Sequence, residues 1–235
     1  MTREQVWDGA VNTRDLGGLP AGSGQIQPGR VYRSARPDGL SDLGRRQLAE
    51  AGIRTVVDLR NDAERLEVRV IDAVAQHHHP IEDPHDEVFM AEWGLRLDSP
   101  AYYGDVLRRW PGLVTGVFAR IADAPVGGVL VHCKAGCDRT GMIVAMLLSV
   151  ADTPLDCIVD DYELAVRTMN TYYQQDPGAG EAGRSAEALE KHCATARAEL
   201  VAFLSSVDVP AFLASNGLTH DQLTRLRNRM LLPMS

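Results

Sequence analysis

The sequence lacks the long apolar segments that membrane insertion or export would require. Its longest apolar run, at about residues 142–150, is too short for the roughly 20 residues that a helix needs to cross a bilayer. The N-terminal stretch "MTREQVWDGAVNTRDLGG" contains no apolar segment of the signal-peptide type. The sequence therefore predicts a soluble, cytoplasmic protein.

Lysine is also scarce, and acidic residues outnumber basic ones. The formal net charge is −8, and Lys134 and Lys191 are the only lysines in the chain. A protein that binds nucleic acid or an anionic membrane surface needs an extended basic field. The sequence therefore predicts no nucleic-acid or membrane partner, and any anionic ligand must be held by a local cationic site. Nothing in the sequence indicates an oligomeric state.

Cysteine is rare, and its distribution argues against a disulfide-stabilised scaffold. The cysteines stand at positions 133, 137, 157 and 193 of a 235-residue chain. Cysteines spread in this way through a mid-sized chain without a signal peptide are not typical of disulfide frameworks. Two of them, Cys133 and Cys137, share one short stretch, which raises the question of a metal site, a redox pair or a phosphate site.

Short apolar strands alternate with amphipathic helices along much of the chain. A serine suited to an N-cap, Ser41, and a terminating glycine, Gly52, bound one of the helices. The predicted strands lie within residues 30–40, 53–60 and 127–133, and the predicted helices within residues 41–52, 102–124 and 140–150. This alternation predicts an α/β fold with a mostly parallel central sheet flanked by helices.

The remaining stretches complete a single predicted domain over residues 1–235. Residues 75–100 and 172–187 have loop composition, the former being polar and punctuated by proline. From about residue 155 the sequence is nearly all helical in pattern. We expect an α/β core at residues 1–154 and a helical cap with C-terminal helices at residues 155–235, the alternative being a separate C-terminal domain.

The stretch "HCKAGCDRTG", residues 132–141, has the composition of a phosphate-binding loop between a strand and a helix. Gly136 and Gly141 permit backbone conformations that aim several N–H groups inward, and the helix N-terminus adds positive partial charge. Arg139 supplies a planar pair of donors for phosphate oxygens. The same dipoles would stabilise a thiolate at Cys133 and lower its pKa.

These residues predict a nucleophile at the floor of an anion site. Attack of Cys133 on phosphorus would give a cysteinyl-phosphate, with Asp138 as the acid that protonates the leaving oxygen. Thr140 could donate its hydroxyl to the departing thiolate. The expected substrate-binding residues of the loop are Lys134, Ala135, Gly136, Cys137 and Gly141.

The rival interpretations of the two cysteines fit the sequence less well. A zinc site needs two further ligands, and His132 is expected to point away from Cys133 because successive strand residues face opposite sides. A redox dithiol usually has the spacing Cys-x-x-Cys. A radical iron–sulfur loop would need a cysteine where Arg139 stands. A phosphate site without metal or cofactor is therefore predicted.

With these residues the chain resembles the cysteine-based protein-tyrosine phosphatases, whose signature is His-Cys, five residues, then Arg-Ser/Thr. The match is closest to the bacterial branch that includes the mycobacterial triple-specificity phosphatase. The supporting stretches are "VNTRDLGG" (11–18), "GRVYRSARPDGL" (29–40), "IRTVVDLRNDAE" (53–64), "IVDDYELAVRTMN" (158–170) and "FLASNGLTHDQLTRLRNRMLL" (212–232). The resemblance implies a phosphatase fold and metal-free hydrolysis of phosphomonoesters, with Asp138 as the proposed acid.

The resemblance also suggests roles for residues outside the loop. Asp58 and Arg60 are candidates for acid or substrate contact, and a buried ion pair that braces their strand is an equal alternative. Tyr102, and with it Tyr103, could line the pocket by similarity or belong to the core. The run His77-His78-His79 is interpreted as a solvated loop rather than a metal site, because adjacent side chains diverge.

Cys137 stands where this branch commonly has a lysine that is associated with use of phosphoinositides. One hypothesis is that highly phosphorylated head groups are poor substrates and that a single phosphate monoester is the target. A second is that Cys137 traps an oxidised Cys133 as a disulfide; a small residue that merely fills the loop is the alternative we favour.

The sequence leaves the substrate open. A phosphorylated small metabolite, such as a nucleotide or sugar phosphate, is slightly favoured because no basic or aromatic docking stretch for a peptide is evident. A phosphotyrosine protein is the alternative substrate. A catalytically silent phosphate-binding module is disfavoured, because Cys133, Asp138, Arg139 and Thr140 are all present.

Overall fold

The computed structural model describes residues 3–65, 74–176, 178 and 181–231. Its strands are β1 (Arg14–Asp15), β2 (Pro20–Ala21), β3 (Gly24–Gln25), β4 (Val31–Ser34), β5 (Ile53–Asp58), β6 (Ala75–His78) and β7 (Gly128–His132). Its α-helices are α1 (Asp42–Glu50), α2 (Glu87–Trp93), α3 (Tyr103–Arg109), α4 (Pro111–Asp123), α5 (Asp138–Val150), α6 (Leu155–Gln175), α7 (Ala186–Ser206), α8 (Val209–Ser215) and α9 (His220–Met230).

The central sheet has the strand order β1-β4-β7-β5-β6. Four of its strands run parallel to one another, namely β4, β7, β5 and β6. The edge strand β1 pairs with β4 in the antiparallel direction. The predicted mostly parallel α/β sheet is therefore confirmed. β7 is central and every one of its residues is buried, as expected of a parallel strand covered on both faces.

Alternate residues of β7 enter two different apolar cores. Val129 and Val131 pack into the large core, which includes helix α5 and the C-terminal helices. Leu130 packs into a smaller core with Leu48 of α1 and Trp7. The alternation follows from the twofold period of a strand, and it places helices on both faces of the sheet.

The helices from residue 155 onward share the large core with the sheet. Leu200, Leu213 and Leu226, from α7, α8 and α9, are fully buried in the cluster that contains Val129. The predicted boundary between core and cap falls where α5 ends and α6 begins. No single helix in the described ranges is long and apolar enough to cross a membrane; α7 and α8 together meet that test, but they are bent by 59°.

Three local expectations need correction or refinement. The long loop expected at residues 75–100 is wrong, because it contains strand β6 and helix α2, which begins with Asp86 as its N-cap. The helix expected at 102–124 is divided at Pro111, which begins α4 after α3 has ended. The loop expected at 172–187 is shorter, since α6 continues to residue 175 and α7 begins at 186; residues 177, 179 and 180 lie outside the described residues.

The N-cap prediction for the first helix holds. The Ser41 side chain accepts a hydrogen bond from the backbone N–H of Gly44 and begins α1. Gly52, which follows the helix, has a positive φ of 78°. The chain then enters β5 directly.

Candidate active site

The candidate site lies at the carboxyl ends of the parallel strands. β7 ends at His132, Cys133 follows it, and α5 begins at Asp138. Register pairs His132 with Ser34 of β4 and with Asp58 of β5. In open α/β sheets this edge is where ligands bind, because the loops that follow the strands converge there.

The loop between Cys133 and Asp138 turns on Gly136. Its φ is +70°, and a Cβ at this position would lie 2.3 Å from the carbonyl oxygen of Ser34. Both the backbone conformation and the close contact therefore require glycine. The sequence predicted a glycine with special freedom here, and the neighbouring strand β4 is the physical reason.

Buried side chains hold the carbonyl groups of this loop from one side. Asn12 Nδ2 donates to the carbonyl oxygen of Ala135 at 2.9 Å, and Arg33 Nη2 donates to that of Gly136 at 2.7 Å. The N–H of a trans peptide points opposite to its carbonyl. The N–H groups of Gly136 and Cys137 are therefore directed away from Asn12 and Arg33.

The bracing side chains are tied to one buried carboxylate, Asp161 of α6. Arg33 Nη1 lies 2.6 Å and Arg3 Nη1 2.8 Å from its two oxygens, and Arg14 Nε lies 3.5 Å away. Burial raises the pKa of Asp161, but the three arginines outweigh it and lower the pKa to about 2. The carboxylate is therefore charged and anchors the loop at neutral pH.

Sequence reasoning missed these bracing roles. The stretches "VNTRDLGG" and "IVDDYELAVRTMN" contain Asn12, Arg14 and Asp161. They supported the family resemblance, but no role was predicted for these three residues. Arg14 and Asp161 each stand beside an acidic residue, so no apolar flank marked them as buried. Their convergence depends on contacts across more than 120 positions of the chain, which no local pattern shows.

Cys133, Asp138 and Arg139 line one cavity of about 420 Å³. Cys133 is almost fully buried at its floor, with 2% of its surface exposed. The cavity is also lined by the predicted residues Lys134, Ala135 and Tyr102, and by Asn61, Glu64, Glu82, Gly94, Leu95, Leu97, Asp98 and Glu181. The predicted nucleophile, acid and phosphate-binding arginine are thus brought together.

The Arg139 guanidinium is bound by Glu64 and faces Glu82, two glutamates that the sequence analysis did not identify. Glu64 accepts from both terminal nitrogens, at 2.5 and 2.7 Å, and Glu82 Oε1 lies 3.5 Å from Nη1. Burial lowers the pKa of Arg139, but the hydrogen bonds to Glu64 and the negative groups nearby have a larger, opposite effect. The pKa is therefore raised above its ordinary value. Arginine has five N–H donors, so its Nε edge remains for a ligand.

The position and the pKa of Asp138 suit it to act as an acid. It is the first residue of α5, its side chain is only partly exposed, and desolvation raises its pKa to about 7. Tyr162 donates a hydrogen bond to Oδ1 at 3.1 Å, which opposes the rise, while the charge of Asp98 adds to it. Tyr103 donates to the backbone carbonyl of Asp138 at 2.7 Å. Near neutral pH the carboxyl therefore exchanges readily between its two protonation states.

Of the other predicted loop residues, Thr140 and Gly141 do not line the cavity, whereas Lys134 does. Thr140 is fully buried, and its hydroxyl has no hydrogen-bond partner within the described residues. A Cβ on Gly141 would lie 2.7 Å from the ring of Tyr162, which explains a glycine there. Lys134 forms an ion pair with Glu181 at 3.0 Å.

Cys137 faces the other side of the loop. Its sulfur receives a hydrogen bond from Asn12 Nδ2 at 3.6 Å, and it lines a second cavity of about 390 Å³. Burial raises the pKa of its thiol well above the ordinary value. Asp138 lines both cavities. The thiols of Cys133 and Cys137 are free, as are those of the other two cysteines.

Asp58 and Arg60 form the buried ion pair that was one of their two interpretations. Arg60 Nη2 lies 2.9 Å from Asp58 and Nη1 2.5 Å from Asp38. His132 Nδ1 lies 3.8 Å from the same Asp58 carboxylate. Neither Asp58 nor Arg60 lines the cavity of Cys133, so among the described residues the pair braces the strand end instead.

The two tyrosines are both fully buried, yet they differ in position. Tyr102 lines the cavity and stacks edge-on against Phe89, whereas Tyr103 packs against Phe203 of α7. Tyr102 thus lines the pocket and also belongs to the core, the two positions expected for it. Of the histidine run, His78 and His79 place their Nε2 atoms 2.7 and 2.8 Å from backbone carbonyls of Arg60 and Leu113.

Comparison with known proteins agrees with this arrangement. Residues 5–232 match the model of the tyrosine phosphatase family. A predicted tyrosine-protein phosphatase of Cupriavidus necator is 34% identical over 76% of this chain and 68% of its own length. The triple specificity protein phosphatase PtpB of Mycobacterium tuberculosis is 31% identical over 66% of each chain. The matched region thus spans about two thirds of these relatives.

One solved structure is also similar in outline. TpbA of P. aeruginosa is 20% identical, with a TM-score of 0.44, over 92% of this chain and 99% of that one.

Proposed function

Since this chain belongs to the tyrosine phosphatase family, we propose that it hydrolyses phosphomonoesters without a metal, through a cysteinyl-phosphate on Cys133. The observation that carries the proposal is one cavity that contains Cys133, Asp138 and Arg139, with the pKa of Asp138 raised to about 7. A nucleophile, an anion-binding cation and an acid that is protonated near neutral pH are the parts that this reaction needs.

In the first step the Cys133 thiolate attacks phosphorus, and the bond to the leaving oxygen breaks. The Asp138 carboxyl gives its proton to that oxygen, so the alcohol or phenol leaves neutral. Arg139 and the loop N–H groups bind the equatorial oxygens, on which the transition state concentrates negative charge.

In the second step water attacks the cysteinyl-phosphate, and Asp138, now ionised, takes its proton. The sulfur leaves as a thiolate and inorganic phosphate is released. The buried Thr140 hydroxyl, which lacks a partner in the described part of the chain, is the candidate donor to that thiolate once small rotations bring the groups together. One residue thus serves as acid and then as base.

We favour phosphotyrosine over a small metabolite as the substrate. The relatives are named as tyrosine-protein phosphatases, and Tyr102, Leu95 and Leu97 offer an aromatic and apolar wall to a phenyl ring. The Glu64 carboxylate lines the same cavity, so a second phosphate group would meet negative charge there. This supports a single phosphate on an aromatic leaving group.

A nucleotide or sugar phosphate is the second candidate, and one observation favours it. Two ion pairs, Lys134 with Glu181 and Arg184 with Asp98, connect residues that line the cavity to the segment before α7. A bulky phosphoprotein would have to open these contacts, whereas a compact metabolite would not.

The test is release of phosphate from a matched panel, in the presence of a metal chelator. The panel contains a phosphotyrosine peptide, mononucleotides, sugar phosphates and phosphoinositides, and a Cys133→Ser variant is the control. We expect metal-independent turnover with the peptide preferred. Preference for a metabolite would replace the substrate but keep the mechanism, and equal turnover by Cys133→Ser would overturn the mechanism itself. Binding of phosphate without turnover would indicate a silent module.

A further inference from the structure

Glu82 has an unusual position for a carboxyl group. Glu82 lies in the loop between β6 and α2, and only 6% of its surface is exposed. It lines the cavity that contains Cys133. Its Oε1 lies 3.5 Å from Arg139 Nη1, which is longer than a hydrogen bond. Its Oε2 is buried and has no hydrogen-bond partner within the described ranges. A structural carboxyl group at this depth would normally be fully paired.

The charges around Arg139 make an ionised Glu82 unfavourable. Glu64 already compensates the guanidinium with two hydrogen bonds. A thiolate at Cys133 and an ionised Glu82 would then leave two uncompensated negative charges facing an incoming phosphate dianion. A neutral Glu82 removes one of them.

The surroundings of Glu82 also raise the pKa of its carboxyl group. Burial raises the pKa of Glu82; Arg139 lowers it and the Glu64 carboxylate raises it again, with the net result that it is raised. The third group that faces it is the buried phenol of Tyr102, which adds no charge. A carboxyl group kept neutral in this way can donate a hydrogen bond through its O–H.

We propose that Glu82 is a further substrate-binding residue, a neutral carboxylic acid whose O–H donates a hydrogen bond to an oxygen of the anion held at Arg139. The inference rests on the proposed function, since it takes that anion to be the phosphoryl group. The proton stays on Glu82 throughout, so its role is separate from the proton transfers of Asp138. The unpaired oxygen then has its partner when the ligand is bound.

The test measures sulfate binding by calorimetry, with sulfate as a phosphoryl analogue that stays a dianion over the pH range used. The parent protein carries Cys133→Ser and Asp138→Asn, which removes the other two titrating groups in contact with the ligand. Into this parent we introduce Glu82→Gln, Glu82→Met and, as a control for the change in net charge, Glu87→Gln. Glu87 is exposed on α2 and lies outside the cavity.

We expect Glu82→Gln to bind sulfate within about threefold of the parent, because its amide still donates a hydrogen bond. Glu82→Met should bind about 10- to 100-fold more weakly, the loss expected for one hydrogen bond to a charged group. In the parent, affinity should fall as pH rises and Glu82 ionises, and this fall should be absent from Glu82→Gln and present in Glu87→Gln.

Three results would overturn the proposal. They are full affinity in a folded Glu82→Met, a loss in Glu82→Gln as large as in Glu82→Met, and a parent affinity that does not fall as pH is raised through the range in which the protein stays folded. The last needs no variant at position 82, so a failure to fold cannot mask the answer. Binding is measured without turnover, and the substrate panel therefore reports separately on the proposed function.

Discussion

The raised pKa of Asp138 predicts that removing this carboxyl group stabilises the protein at neutral and alkaline pH. The pKa is about 7 in the folded chain, against an ordinary value of 3.8. Each unit of difference corresponds to about 1.4 kcal/mol, so the ionised carboxyl costs at most about 4 kcal/mol of folding free energy. Water that enters the cavity beside the charge would reduce this cost.

The sign follows from proton linkage. Because the folded chain holds the proton more tightly, the stability contributed by the protonated carboxyl is complete below pH 3.8 and is lost as pH rises to about 7. An amide at this position cannot ionise. The advantage of Asp138→Asn over the wild type should therefore grow by about 2–3 kcal/mol between about pH 5 and about pH 8.

Urea unfolding of both proteins at several pH values measures this difference. Asp42→Asn is the matched control, because its carboxyl group is on the surface with 86% of the side chain exposed. A difference between Asp138→Asn and wild type that stays constant with pH would refute the assignment of Asp138 as an acid with a raised pKa. The same variant should lose turnover while retaining sulfate binding, which separates a catalytic loss from misfolding.

Three further predictions concern the surroundings of the loop. Tyr162→Phe removes a donor to Asp138 and should raise its pKa, so the fall of turnover at high pH should move to higher pH with little change in KM; an unchanged profile would contradict this. Gly136→Ala should destabilise the fold by about 2 kcal/mol or more in urea unfolding, whereas Gly22→Ala, which has positive φ but open space, should cost about 1 kcal/mol; equal losses would sink the packing argument. Cys137→Lys should raise phosphoinositide turnover relative to a monophosphate, and an unchanged ratio would remove the charge explanation.

The sequence predicted the parts of the fold that local periodicity determines. β5 is rich in β-branched residues, and β7 and α5 are largely apolar. All three are bounded by glycine or polar residues, and they were located correctly. β6 was missed because its burial is partial and its residues, "AQHH", have neither alternation nor β-branching. Pairing with β5 makes it a strand, and that pairing is a tertiary contact.

The candidate site likewise contains residues that local spacing predicts and residues that only tertiary contacts bring in. Cys133, Asp138 and Arg139 lie within seven positions of one another, so their spacing alone predicted a shared site. Glu64 and Glu82 follow different strands, β5 and β6, and meet Arg139 only because these strands are neighbours. The pKa of Asp138 likewise depends on Tyr162, which is contributed by another helix.

The anchoring of the loop through Asp161 has a consequence for how the protein acquires activity. Arg3 and Asp161 are separated by 158 positions, and Asn12 and Ala135 by 123. Contacts of this range form late, because the entropy of closing a long loop must be met before they stabilise anything. A chain emerging from the ribosome can therefore form the sheet around β7 and still hold Cys133 in an unorganised loop. Competence for catalysis should appear only after α6 has been synthesised and has met the N-terminal segment, so incomplete chains would carry the nucleophile without its reactivity.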